Sequence, residues 1–161
     1  MVLVAAALLQ GCGFRPLYGK HGGEDGVSQE LAQVYVEIIA DRVGQKLRNF
    51  LLDRINPTGS PASPAYRLYV TSAVSRTDLG IQRDETATRA RLVLTAQYTL
   101  YDAARKTVLV KGSTQSTNSF NIVNSDFATA SAEADALDRA AREVSDDIKT
   151  RLGLYFSRQR S

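Results

Sequence analysis

The stretch that decides the architecture is Arg89-Ala90-Arg91-Leu92-Val93-Leu94-Thr95-Ala96-Gln97-Tyr98-Thr99-Leu100. Every even position is apolar or aromatic, and every odd position except Val93 is polar. Successive side chains of a strand point to opposite faces, so this period of two predicts a strand with one packed face and one wet face. The pattern repeats on both sides. Upstream, Tyr66, Leu68, Val70 and Val74 alternate with Arg67, Tyr69, Thr71 and Ser75. Downstream of a short turn around Asp102 to Lys106, Val108 and Val110 continue the apolar face. Three such segments in succession predict antiparallel strands.

Helices flank this block. Val43, Leu47, Phe50, Leu51 and Ile55 recur at steps of three and four behind Asp41, a residue suited to cap a helix. Asn56-Pro57 ends that pattern and PTGSPASP reads as a loop. A second, longer helix is expected from Ser125 or Asp126, with Phe127, Ala130, Ala134, Leu137, Ala141, Val144, Ile148 and Leu152 as its stripe and Gly153 at its end. Before the first helix, Val34, Val36 and Ile38 alternate in QVYVEII and predict a fourth strand. The expected fold is α+β, a two-layer sandwich in the order β-α-β-β-β-α, with a four-stranded, mostly antiparallel sheet carrying two helices on one face. This order departs from a ferredoxin-like fold, because only one helix separates strands and the other comes last.

Composition narrows the function. The chain has 161 residues, 43% hydrophobic and 23% charged, values that suit one globular domain. Its single cysteine, Cys12, cannot form an internal disulfide or a Cys-rich zinc site. The single histidine, His21, lies in a Gly-rich stretch that would hold an imidazole poorly for catalysis. The carboxylate pairs Asp84-Glu85 and Asp146-Asp147 are adjacent in sequence, so their side chains point apart and read as solvated surface. A non-catalytic protein with no metal or cofactor is expected. Tyr69, Tyr101, Arg89 and Arg91 on one wet face resemble an RNA-binding sheet, but the Gly-aromatic-Gly-aromatic string of such sheets is missing, and no nucleic-acid partner is expected.

The amino end carries a second signal. Val2 to Leu9 reads VLVAAALL, too short to span a bilayer and long enough for the apolar core of a secretory signal. Leu9-Gln10-Gly11-Cys12 follows, with the arrangement of a bacterial lipobox. The thiol of Cys12 would take a diacylglyceryl group, small Gly11 would admit the peptidase, and the freed amine could be acylated in turn. Each buried methylene contributes about 0.8 kcal/mol to such an anchor. The competing reading is a buried apolar segment with an inert thiol; the position at the extreme end and the spacing to Cys12 favour the signal. Residues 1–11 are thus expected to be a lipoprotein signal peptide, 12–32 the lipidated amino end and a solvated linker, and 33–158 one domain.

The string Gly11-Cys12-Gly13-Phe14-Arg15-Pro16-Leu17-Tyr18-Gly19 resembles the start of the LPS-assembly lipoprotein family, LptE, especially its alphaproteobacterial members. The resemblance implies a lipid-anchored protein on the periplasmic side of the outer membrane that plugs the lumen of the LptD β-barrel translocon, aids its assembly and binds lipopolysaccharide. Another class with the same anchor, size and layout is an adaptor or pilot for a different envelope complex, such as a secretin or a lipid-transport ATPase; the FRPLYG string argues against it.

Between residues 67 and 111 there are eight basic and four acidic groups, so the positive excess lies on the strands. Arg89 and Arg91 share the wet face by the pleat. Arg76 and Arg83 flank the amphipathic connection TDLGIQ, residues 77–82. Guanidinium groups bind phosphate in a bidentate manner. With the resemblance, Arg83 and Arg89 are expected to carry most of any lipopolysaccharide contact, with Arg76 and Arg91 second; without it, the arginines read as a solvated strand edge. The uncharged run GSTQSTNSFNIVN, residues 112–124, is either an exposed strand or a surface that docks on protein.

Overall fold

The computed structural model describes residues 22–79 and 88–159. Three long strands form its centre: β2 (Tyr66–Leu79), β3 (Thr88–Asp102) and β4 (Val108–Ile122), preceded by the short β1 (Val34–Val36). The sheet order is β1-β2-β3-β4. Strand β1 runs parallel to β2, and the other two pairings are antiparallel. Helices α2 (Asp41–Ile55) and α3 (Asp126–Gln159) pack on one face, and α1 (Gly22–Ala32) precedes them. The two-layer α+β architecture and the β-α-β-β-β-α order are those expected from the strand alternation and the two helix stripes. Helix α1 is additional.

The even positions of β3 from Ala90 to Leu100 are buried, together with Leu68 and Val70 of β2. They meet Leu47, Leu51 and Ile55 of α2, and Val144, Ile148 and Leu152 of α3. Each fully buried leucine or isoleucine contributes about 1.5–3 kcal/mol. Asp41 caps α2 as its residue type suggested: it has a left-handed φ of 62° and its Oδ1 accepts from the Gly44 amide at 2.8 Å. Gly44 has its own constraint. A Cβ there would lie 2.6 Å from the Ile39 side chain, so the close approach of β1's exit to α2 requires glycine.

Four sequence expectations change. Strand β1 ends at Val36; Ile38 is 82% exposed while Ile39 is buried, because the chain leaves the sheet there to enter α2. Residues 22–32 are helix α1 and not a linker, although GGEDGVSQELA has no helical period; Leu31 is buried and Val27 packs against the core, so tertiary contact supplies what propensity lacks. Gly153 does not end α3. It faces Val27 of α1, and one turn later Phe156 is buried against the Tyr66 ring, centroids 5.0 Å apart, which draws the helix on to Gln159. Finally, a bulge between Leu100 and Tyr101 pairs Tyr101 with Val108, which turns Val108 onto the open face at 54% exposure.

Tyr66 closes the lower end of this core. Its hydroxyl donates to Glu30 of α1 at 2.9 Å; burial first, and then that carboxylate, push its pKa up to about 12. An unfolded tyrosine loses its proton near 10. The native state therefore holds the proton more tightly, and the stability this contributes is complete below pH 10 and lost as pH rises from 10 to about 12. We expect Tyr66→Phe to show a smaller fall in urea midpoint between pH 9 and pH 11.5 than the wild-type chain. An identical fall in both would refute the linkage.

Candidate functional site: the open face of the sheet

The helices cover one side of the sheet, and the odd-numbered residues of β2, β3 and β4 form the other. Register sets them in rows. At the upper end, Leu79, Arg89 and Asn121 lie side by side, and Thr77, Arg91 and Ser119 form the next row. Further down come Ser75, Val93 and Thr117, then Ala73, Thr95 and Gln115. Near the β3–β4 turn the rows are Tyr69, Thr99 and Lys111, then Arg67, Tyr101 and Val108. The two carboxylates of these strands among the described residues, Asp78 and Asp102, fall in the other phase. The open face is thus a neutral hydroxyl and amide surface with cations toward both ends.

The expected arginines divide between the two faces. Arg89 and Arg91 are exposed on the open face and have no ion-pair partner among the described residues. Arg76, opposite Leu92, lies on the helix side. It contacts Asp78 at 3.0 Å and Glu133 of α3 at 2.6 Å, and its guanidinium stands 5.3 Å from the Phe120 ring centroid. The hydrogen bond to Asp78, against the opposing effect of desolvation, pushes its pKa up. Arg76 therefore ties β2 to α3, and the sheet separates it from Arg89 and Arg91. Arg83 lies outside the described residues, as does Cys12 with the whole of residues 1–21.

The uncharged run on β4 divides in the same way. Thr114 and Ser116 are buried under α3, where Ser116 donates to Glu143 and Asn118 donates to Ser116 at 2.9 Å. Arg139 reaches Asn118 Oδ1 at 3.2 Å. Half of this polar run thus docks on the protein's own helix, and Ser113, Gln115, Thr117 and Asn121 remain on the open face.

The Asp146-Asp147 pair is committed to structure. Asp146 receives both nitrogens of an Arg54 fork, which holds its carboxyl below the usual range despite some burial. Burial raises Asp147, but hydrogen bonds from Thr114 and Arg151 outweigh it and hold this carboxyl low as well. Asp84 and Glu85 lie outside the described residues. Among the described residues, no group of His, Cys, Asp and Glu is placed to hold a metal ion, and no helix is long and apolar enough to cross a membrane. Lys106 and Lys111 carry no motif that marks them in the sequence. The register aligns Lys111 with Tyr69 through Thr99, and Lys106 joins the tyrosines from the β3–β4 turn.

These features define a small helix-backed sheet domain with an open polar face. The lipopolysaccharide-assembly family LptE matches residues 31–152, and the chain belongs to that family, a family of assembly lipoproteins and not of enzymes. Solved structures share the fold. A candidate lipoprotein from Caulobacter crescentus CB15 superposes with a TM-score of 0.67 at 24% identity, covering 82% of this chain and 96% of that one. A minor lipoprotein from Acinetobacter baumannii gives 0.59 at 15% identity, covering 75% and 91%; rare lipoprotein B from Shewanella oneidensis gives 0.60 at 8%, covering 80% and 98%. No match was found among curated proteins.

Proposed function

We propose that the chain is an outer-membrane lipoprotein of the lipopolysaccharide transport and assembly complex. Residues 1–11 are removed, Cys12 is acylated, and the domain stands on the periplasmic side, where it plugs an LptD-type β-barrel and binds lipopolysaccharide. The observation that carries this reading is the family match over residues 31–152. The GCGFRPLYG string supports the anchor. The open face supports the partner: a barrel lumen is polar, and a surface of hydroxyl and amide groups can both donate and accept hydrogen bonds to it. The lipid tether raises the effective concentration of the domain beside its barrel.

The work is binding, with no bond made or broken. Arg89 and Arg91, with Arg83 on the connection that joins β2 to β3, would contact the phosphates of lipopolysaccharide, while Arg76 holds the base of that connection to α3. Charge-assisted hydrogen bonds of this kind contribute about 1.5–3 kcal/mol each. Arg83→Ala with Arg89→Ala is therefore expected to weaken lipopolysaccharide binding at least tenfold in a calorimetric titration, with an unchanged circular dichroism spectrum. Unaltered affinity would show that lipopolysaccharide is held elsewhere.

A further inference from the structure

At the end of the open face remote from Arg89 and Arg91, about 30 Å along the strands, is a hollow of about 610 Å³. Its floor is the Tyr69-Tyr101 pair, diagonal across β2 and β3, with ring centroids 5.3 Å apart and planes at 81°. Tyr69 is 47% exposed, so a large part of its ring surface is available. Thr99 lies between the tyrosines and Lys111, and Lys106 stands on the rim, held by the β3–β4 turn with a φ of 55°. Neither lysine has an ion-pair partner among the described residues. Arg67, also on the lining, is neutralised by Glu37 at 2.7 Å. The one carboxylate of the lining, Asp102, is turned to other work: its Oδ1 accepts from the amides of Ala104 and Arg105 at 2.9 and 2.8 Å.

We propose that this hollow binds a hexose ring that carries an anionic group. A sugar has flat faces of C–H bonds that pack on an aromatic ring, and hydroxyls that need partners able to donate and accept, as Thr99 is. Two unpaired ammonium groups beside that platform, with the nearest carboxylate tied to backbone amides, complement a phosphate or carboxylate on the ring. The volume lies in the range of small-molecule sites. A neutral sugar would leave the lysines unused, and a free anion would leave the tyrosines unused. The hollow does not depend on the arginine end, so this site and the lipopolysaccharide reading stand or fall separately.

The test is an NMR titration of the ¹⁵N-labelled full chain with glucosamine 6-phosphate, N-acetylmuramic acid, N-acetylglucosamine and inorganic phosphate. The two anionic sugars are expected to shift the amides of Tyr69, Thr99, Tyr101 and Lys106, at least one of them binding about tenfold more tightly than the neutral sugar. Preference for the phosphate arm points to a glycolipid as the source, and preference for the carboxylate arm to a wall glycan. Lys106→Gln with Lys111→Gln should abolish the difference between anionic and neutral sugars, and Tyr69→Ser should weaken every sugar. Arg83→Ala with Arg89→Ala should change none of this. Inorganic phosphate or the neutral sugar binding as well as the anionic sugars, shifts confined to other residues, or no shift with any sugar would each overturn the proposal.

Discussion

Leu94→Ala lowers the stability of the domain by about 2–5 kcal/mol. The residue lies at the middle of the central strand β3, is 0% exposed, and faces the helix layer. Removing three carbons there loses their transfer free energy and leaves a cavity that a central strand, paired with β2 on one side and β4 on the other and flanked at Leu94 by Val74 and Ser116, cannot close by shifting. Against a total of about 5–15 kcal/mol for a domain, that is a large share. The matched control is Phe127→Ala. Phe127 begins the apolar stripe read from the sequence, yet it is 85% exposed in the first turn of α3, so its removal should change stability by no more than about 0.5 kcal/mol. Urea denaturation of the two variants checks both values. A Phe127 effect as large as that of Leu94 would mean that the upper part of α3 packs differently.

Gly112→Ala is the second large effect. Gly112 pairs with Tyr98 across β4 and β3, and the tyrosine ring lies over it. A Cβ at this position would stand 2.5 Å from the Tyr98 hydroxyl and 2.6 Å from Cζ. Tyr98 is only 3% exposed, so the ring cannot swing into solvent without opening the core. Overpacking of this kind costs about 1–3 kcal/mol. The paired change Tyr98→Leu with Gly112→Ala should be less damaging than the sum of its parts, because the shorter side chain vacates the space; strict additivity would show that the two residues do not share it.

The sheet was legible because three strands obey a period of two with few exceptions, and a slip of one residue would have put Leu92, Leu94 and Leu100 in water. The helix layer was legible only in part. In α3 the stripe expected through Phe127, Ala130 and Ala134 is exposed, and burial begins at Ala136 and runs on to Phe156. The small residues of 128–136 have little apolar surface, so the alternation of steps carried no energetic weight there. Helix α1 was hidden because its sequence lacks a period and Val27 and Leu31 are its apolar contacts with the core. Of the arginines expected to share a patch, Arg76 has even parity and Arg89 and Arg91 odd, which places them on opposite sides, and Arg83 lies outside the described residues. Parity could have separated them beforehand, since Arg76 is in phase with Leu68 and Val70. The hollow between Tyr69, Tyr101 and Lys106 needed the register and the bulge, which no local pattern encodes.

Placement of the cations bears on how the domain would work. Arg89, Arg91, Lys106 and Lys111, none with an ion-pair partner among the described residues, lie on the uncovered face, while Arg54, Arg76 and Arg151 pair with acids. Paired charges that stand in solvent contribute little to stability, because water and salt screen them. The unpaired ones are free to meet an anionic ligand, and the polar face between them is free to meet a barrel wall.

In the proposed function this domain holds a barrel and lipopolysaccharide at the outer membrane. Affinity purification of the full-length, carboxyl-tagged protein from detergent-solubilised membranes of its host, with mass spectrometry of the protein and of everything recovered with it, reads anchor and partner together. The expected result is a chain that begins at a triacylated Cys12 and brings down an LptD-type barrel together with lipopolysaccharide. A chain that retains residues 1–11 with a free thiol, or one that brings down a secretin or a lipid-transport ATPase without that barrel, would contradict it.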